Sequence, residues 1–305
     1  MVGDLGFVHS ICGAWERTIY CLKHLARSVF ALKYTDIAWT RGPGGNGKDT
    51  LANRMSVLLG SYFANLACEA LTSCRDLDAP SQTILGLRSR RFVCVREIAK
   101  DARIRGHIYR TIADPKGKVK ARGLYGKDQA FVPHYLLFLC TNVPIDIDDK
   151  GGGTKRRTRI LDMPHNFVDC PQAPNERQKD SGIEDQFEGR NASCFFLMLQ
   201  VYRILLSAKN TDHVTPIPLD VQEAAAEELA EPWMAKLDEF VINCLRPTDR
   251  VAQASSAAEV RKAFFNACDN LLQEREVKLK LSLKGVHEST QAVKGCIQKT
   301  TKRVY

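Results

Sequence analysis

Short continuous apolar runs alternate with helical stripes through the first half of the chain. Residues 35–40 (Thr-Asp-Ile-Ala-Trp-Thr), 91–95 (Arg-Phe-Val-Cys-Val) and 135–140 (Tyr-Leu-Leu-Phe-Leu-Cys) have the length and β-rich content of buried parallel strands. Residues 15–32 place Ile19, Leu22, Leu25, Ala26 and Val29 on one helical face. The spacing predicts further helices over 51–68 and 102–112. Residues 118–125 and 130–132 flank a Gly126-Lys127-Asp128-Gln129 turn and read as a β-hairpin with a charged tip. Pro144 closes the third strand, an acidic glycine-rich loop covers 146–153, and a short strand is expected over 160–163. Beyond a polar stretch at 170–191, helical patterns dominate: 192–208, 219–245 and 257–272. Together these elements predict an α/β fold with a parallel central sheet and a protruding β-hairpin, followed by a mainly helical C-terminal region. The expected divisions are an N-terminal helical segment (1–34), a P-loop core (35–169), a linker and helical region (170–245) and a small, winged-helix-like C-terminal domain (246–305).

One stretch gives this pattern a chemistry. Gly42-Pro43-Gly44-Gly45-Asn46-Gly47-Lys48-Asp49-Thr50 follows the first strand and opens the next helix. Strand, glycine loop and helix in that order form a phosphate cradle: glycines let successive N–H groups turn inward, and the helix N-terminus adds partial positive charge. Lys48 is placed to reach the β- and γ-phosphates of ATP. Asp49 stands where a serine or threonine hydroxyl normally holds Mg²⁺. Thr50, the neighbouring hydroxyl, is turned about 100° round the helix. A glycine-rich surface turn is the plain alternative.

The other candidates sit at ends of predicted strands, where ligands of open α/β sheets collect. Glu97 follows the second strand and is placed either to polarise an attacking water and contact Mg²⁺, or simply to begin a surface loop. Asn142 ends the third strand. Its amide suits a γ-phosphate or a water, and also suits an ordinary turn. Arg156, Arg157 and Arg159 precede or open the last strand and fit either a transferring phosphoryl group or a nucleic-acid backbone.

Charge narrows the partner. The 305-residue chain carries a net +9, and the stretch from Arg88 to Lys127 alone holds thirteen basic and three acidic side chains, a net +10. The remainder is therefore close to neutral. A basic hairpin bearing Lys118, Lys120, Arg122 and Lys127 suits single-stranded DNA bound through its phosphates without sequence preference. The 11 cysteines include no CxxC pair, which points to an intracellular, reducing compartment rather than a disulfide framework or zinc site. No signal peptide or membrane span is expected.

Five segments, in order, resemble a superfamily 3 helicase of the poxvirus-type and phage/plasmid primase-helicase branch. They are the loop at 42–48, the strand 91–97, Lys120-Ala121-Arg122-Gly123-Leu124-Tyr125-Gly126, Leu139-Cys140-Thr141-Asn142-Val143-Pro144, and Lys155-Arg156-Arg157-Thr158-Arg159-Ile160. The resemblance spans about 15–245 and is strongest over 40–167. It implies an AAA+ type ATPase core, a homo-oligomeric ring (usually a hexamer), ATP hydrolysis with Mg²⁺ and 3′-to-5′ unwinding of DNA in replication, in a protein of viral or mobile-element origin. It further implies Lys48 as phosphate ligand, Glu97 as the Walker B acid, Asn142 as sensor, Arg156 or Arg157 as arginine finger and Lys127 on the DNA hairpin. Metal ligation falls to Asp49, Thr50 and Glu97. Only about 35 residues precede the first strand, so a primase is an expected partner rather than an expected activity. Two positions depart from the pattern: Asp49, and Arg96 where a second acid or small polar residue is usual. They keep open a nucleotide- and DNA-binding module with a degenerate ATPase site. A P-loop phosphotransferase acting on a small molecule is a third class.

Overall fold

The computed structural model describes residues 2–33, 35–72, 81–99, 102–122, 129–144, 146–207 and 216–230. Two helices, α1 (Val2–Cys12) and α2 (Trp15–Val29), precede strand β1 (Ile37–Arg41). Helix α3 (Lys48–Leu59), strand β2 (Phe63–Leu66), two single-turn helices α4 (Glu69–Thr72) and α5 (Gln82–Leu85), and strand β3 (Phe92–Val95) follow. Next come β4 (Arg103–Ile104), α6 (Gly106–Ile112), β5 (Val119–Ala121), β6 (Gln129–Phe131), β7 (Leu136–Thr141), β8 (Asp146–Ile147), α7 (Gly152–Arg157) and β9 (Thr158–Asp162). The described part ends with β10 (Asn166–Val168), β11 (Glu176–Gln178), α8 (Asn191–Ser207) and α9 (Leu219–Glu228).

Five strands form one sheet in the order β2-β3-β7-β1-β9, and every pairing in it is parallel. Successive side chains of a strand point to opposite faces, and both faces are covered. Ile37, Trp39, Val93, Val95, Leu137, Leu139 and Ile160 pack with Ile108 and Tyr109 of α6 and with Ala224 and Ala225 of α9. Ala38, Phe92, Cys94, Leu136, Phe138, Cys140 and Leu161 pack with Leu51, Ala52 and Met55 of α3, and with residues of α1, α2 and α8. Burial on both faces is why these strands are apolar without alternation. The indole of Trp39 donates to the Tyr109 hydroxyl at 2.6 Å, and that hydroxyl lies 3.0 Å from Thr158 Oγ1, tying β1, α6 and the start of β9 together.

Several sequence-based boundaries shift. The helix expected over 51–68 ends at Leu59, where Gly60 takes φ +51, and 63–66 becomes the edge strand β2, paired Phe63 to Phe92. The helix expected over 102–112 begins only at Gly106, because Arg103 and Ile104 pair with Asp146 and Ile147. The loop expected over 146–153 contains β8 and the start of α7, so the last strand opens at Thr158 rather than 160. Of the helix expected over 219–245, Leu219–Glu228 is helical with Leu229 as its cap, and residues 231–245 lie outside the described residues. Ile19, expected on the buried face of α2, is 49% exposed, whereas Leu22, Leu25 and Ala26 are buried. Residues 257–272 and 246–305 lie outside the described residues, as do Lys127 and the hairpin tip. Among the described residues, no helix is long and apolar enough to cross a membrane.

Candidate nucleotide site at the C-terminal edge of the sheet

Parallel strands deliver their C-terminal ends to a common edge, and the glycine loop lies there between β1 and α3. Gly42 N donates to Thr141 O of the neighbouring strand at 3.3 Å. Gly45 and Gly47 have φ +80 and +82, a region that side-chain-bearing residues rarely adopt. Space enforces the same choice: a Cβ at Gly47 would stand 2.9 Å from Ile11 Cγ1, and one at Gly45 2.7 Å from Asn166 Oδ1. Phe167 N donates to Gly45 O at 2.8 Å, so the segment around β10 braces the loop from outside.

Lys48 is buried, and its ammonium donates to Asn46 Oδ1 at 3.2 Å and Pro43 O at 3.3 Å, with Gly42 O at 3.5 Å. The loop thus wraps its own cation. Asn46 Nδ2 is buried without a hydrogen-bond partner. Leaving such a donor unpaired is costly, and an anion in the loop would satisfy it. In the first turn of α3, Lys48 N meets Asn46 Oδ1 at 3.4 Å and Leu51 N donates to Gly47 O, while the N-terminal end of the helix brings partial positive charge to the loop. These features fit a nucleotide phosphate.

Glu97 and Asn142 come to this edge with the loop. The register Arg41 to Thr141 puts Asn142, one residue past β7, level with Gly42, and β7 lies between β1 and β3. Glu97 lies two residues beyond β3, exposed, with φ +55. A left-handed backbone at a non-glycine residue is strained, and such strain clusters at functional sites. Asp49 and Thr50 occupy the first turn of α3, Asp49 exposed and Thr50 half-buried. Among the described residues no three His, Cys, Asp or Glu side chains gather as a self-contained metal site. Mg²⁺ at a nucleotide needs only one or two carboxylates beside the phosphates, and Asp49 and Glu97 are exposed carboxylates at this edge.

Arg96 is the dissenting charge. Its Nε lies 3.9 Å from Asp49 Oδ1 and 3.5 Å from Cys94 Sγ, while Nη2 donates to Asn53 Oδ1 at 2.7 Å. The Cys94 thiol is shifted down, first by its hydrogen bond with Cys140 and then, against the cost of burial, by Arg96. Cys94, Cys140 and Cys194 are all buried, as the apolar runs around them predict.

Arg156 and Arg157 are not brought to the loop. Ile37 pairs with Thr158 and Arg41 with Asp162, so α7 enters β9 at the opposite edge of the sheet. Four ladder steps at about 3.3 Å separate the two levels by roughly 13 Å. Arg157 is tied down, donating to Gly153 O at 3.0 Å with Asp114 at 3.6 Å; Arg156 is exposed. Arg159 pairs with Asp36 at 3.1 Å.

The antiparallel pair β5–β6 carries the basic residues in alternation. Val119 and Ala121 are buried, and Lys118, Lys120 and Arg122 are exposed on the other face.

The fold is shared with the NrS-1 C-terminal region. Its apo structure (residues 305–718 of that protein) matches with a TM-score of 0.53 at 14% identity, over 79% of this chain and 58% of that one. An A-form apo structure of the same region matches with a TM-score of 0.51 at 12% identity, over 92% of this chain and 61% of that one. The chain therefore spans about three fifths of that region, and at such identities the likeness concerns the fold alone. A crystal structure of JCV helicase with a bound N-phenylacetamide compound overlaps at a TM-score of only 0.34, too low to bear on the comparison. No family model matches the sequence, and no curated protein matches it.

Two sets of contacts that hold the loop in place were not visible in the sequence. Arg41, the last residue of β1, forms a two-pronged pair with Asp162 at 2.6 and 2.9 Å and reaches Glu228 of α9 at 2.6 Å. Asn166 and Phe167 brace the loop from distant positions in the chain. The apolar periodicity reports neither, because both depend on tertiary pairing of distant segments.

Proposed function

We propose that the chain is an ATP-dependent DNA helicase of the superfamily 3 type, built on an AAA+ core and acting in the replication of a virus or mobile element. The observation that carries this reading is the convergence of the Gly42–Thr50 loop, Glu97 and Asn142 on one sheet edge, in a molecule that also exposes Lys118, Lys120 and Arg122 on a separate hairpin. The loop backbone and Lys48 bind the ATP phosphates, Glu97 polarises the attacking water, and Asn142 senses the γ-phosphate. A bound Mg²⁺ would offset phosphate charge, held by Asp49 and Glu97 with the Thr50 hydroxyl next along α3. Arg156 and Arg157 lie on the far edge, so whichever serves as the finger acts on a neighbouring subunit's nucleotide in a ring, a hexamer by resemblance. The exposed Arg156 is the better placed. Lys118, Lys120, Arg122 and Lys127 track single-stranded DNA through its phosphates. The setting is intracellular and reducing, with primase or other replication proteins as partners.

The direct experiment measures ATP hydrolysis and strand separation by purified protein with and without single-stranded DNA, for the native sequence and Lys48→Ala. DNA-stimulated hydrolysis abolished by Lys48→Ala supports the proposal. Hydrolysis unchanged by that substitution contradicts it. The guanidinium of Arg96 where an acid is usual favours a second reading, a nucleotide- and DNA-binding module without turnover. Tight ATP binding with no phosphate release, with turnover appearing on Asp49→Ser, would select it.

A further inference from the structure

Asp49 and Arg96 depart from the usual chemistry of a P-loop site, and the fold makes them partners. The guanidinium of Arg96 spans from the end of β3 to one side of α3. It lies near Asp49 at 3.9 Å and bonds Asn53, four residues further along that helix, at 2.7 Å. Residues four apart on a helix share a face, so Asp49 and Asn53 offer one surface to one guanidinium. Cys94 Sγ, 3.5 Å from Nε, fixes the group from the strand side. A planar fork held at several points has little freedom to swing away. The Asp49 carboxylate, 56% exposed, has the Arg96 guanidinium beside it and stands in the first turn of α3, one residue after Lys48.

The charges explain why neither residue suits the site alone. A lone carboxylate in the first turn of α3 would repel a triphosphate bound at Lys48. A lone guanidinium at the end of β3 would repel Mg²⁺. Together they are neutral. We propose that Asp49 and Arg96 act as one unit: Arg96 is a positioning residue that offsets the Asp49 charge and directs its carboxylate so that Asp49 supplies the metal-side oxygen usually given by a hydroxyl. This rests on the nucleotide-site reading above and adds to it how the metal side is built.

The unit is tested by the affinity of a fluorescent ATP analogue, measured in EDTA and across a Mg²⁺ titration, for the native protein, Asp49→Asn, Arg96→Gln and the double variant. The quantity of interest is the gain in affinity that Mg²⁺ confers. The native protein is expected to show a gain of about tenfold or more. Each single variant and the double variant should fall to the same small gain, about twofold, because groups acting as a unit are lost together. In EDTA, Arg96→Gln should bind more weakly than native and Asp49→Asn more tightly, opposite signs that loss of structure alone would not produce. A native-sized Mg²⁺ gain in Arg96→Gln overturns the pairing while leaving the nucleotide site standing. So do single losses that multiply in the double variant. Failure of the native protein to bind the analogue at all overturns both.

Discussion

Two arginine–aspartate pairs tie helix α3 to its surroundings, and they differ in almost every physical respect. Arg54 and Asp4 are 2% and 6% exposed and 3.2 Å apart. The Arg54 guanidinium also donates to Phe187 O, Arg190 O and Asn191 Oδ1, and Asp4 Oδ2 accepts from Ser193 Oγ at 2.7 Å. Arg96 and Asp49 are 30% and 56% exposed and stand 3.9 Å apart. The first pair has its hydrogen bonds met by protein and pins the body of α3 to α1 and to the start of α8. The second sits at the first turn of α3, with the carboxylate open to water. A buried, saturated pair fixes a helix; in the exposed pair the guanidinium is held by Asn53 and Cys94 while the Asp49 carboxylate stays open to solvent. One helix thus has a buried anchor near its middle and a solvent-exposed pair at its first turn, the turn that carries Lys48.

The contrast can be broken most forcefully at Arg54. Removing one partner of a buried pair leaves the other charge uncompensated, so Arg54→Ala should cost about 3–5 kcal/mol, seen as a fall in melting temperature of roughly 10 °C. A change below about 1 kcal/mol would mean that this pair is no more structural than the exposed one. Asp4→Asn should cost less, about 1–3 kcal/mol, because Arg54 keeps its two carbonyls and the Asn191 amide oxygen; urea unfolding of the variant measures it. Asp49→Asn should shift stability by no more than about 0.5 kcal/mol, since water already screens the pair. A larger loss would move this pair into the structural class. The hairpin extends the same logic to a surface with no structural duty. Replacing Lys118, Lys120 and Arg122 together by alanine should leave the melting temperature nearly unchanged, while the slope of log affinity for single-stranded DNA against log salt falls by about 2. An unchanged slope would remove these residues from the DNA path.

The sequence made the middle of the sheet legible and its margins less so. β1, β3 and β7 stand out as unbroken apolar runs because both faces are buried. β2 did not: Phe63-Ala64-Asn65-Leu66 sits at the sheet edge, mixes exposed and buried positions, and follows directly on a helix whose apolar content carries past Gly60. The candidate site divides the same way. Lys48, Glu97 and Asn142 are legible because a loop motif and strand ends locate them without knowledge of packing. Arg54 reads as one more basic residue on a helix, although its partners come from α1 and from the approach to α8. The placement of Arg156 and Arg157 needed the register of β9 against β1, which no local pattern encodes. Asp49 and Arg96 were each visible as exceptions; that they face one another became clear only once β3 was placed across from the start of α3.

The central claim is that the loop at 42–50 powers movement on DNA. Its most direct test is the steady-state rate of ATP hydrolysis with Mg²⁺, with and without single-stranded DNA, for the native protein and Lys48→Ala. The account predicts hydrolysis that rises severalfold with DNA and falls to background in Lys48→Ala. Hydrolysis indifferent to DNA, or surviving intact in Lys48→Ala, would contradict it.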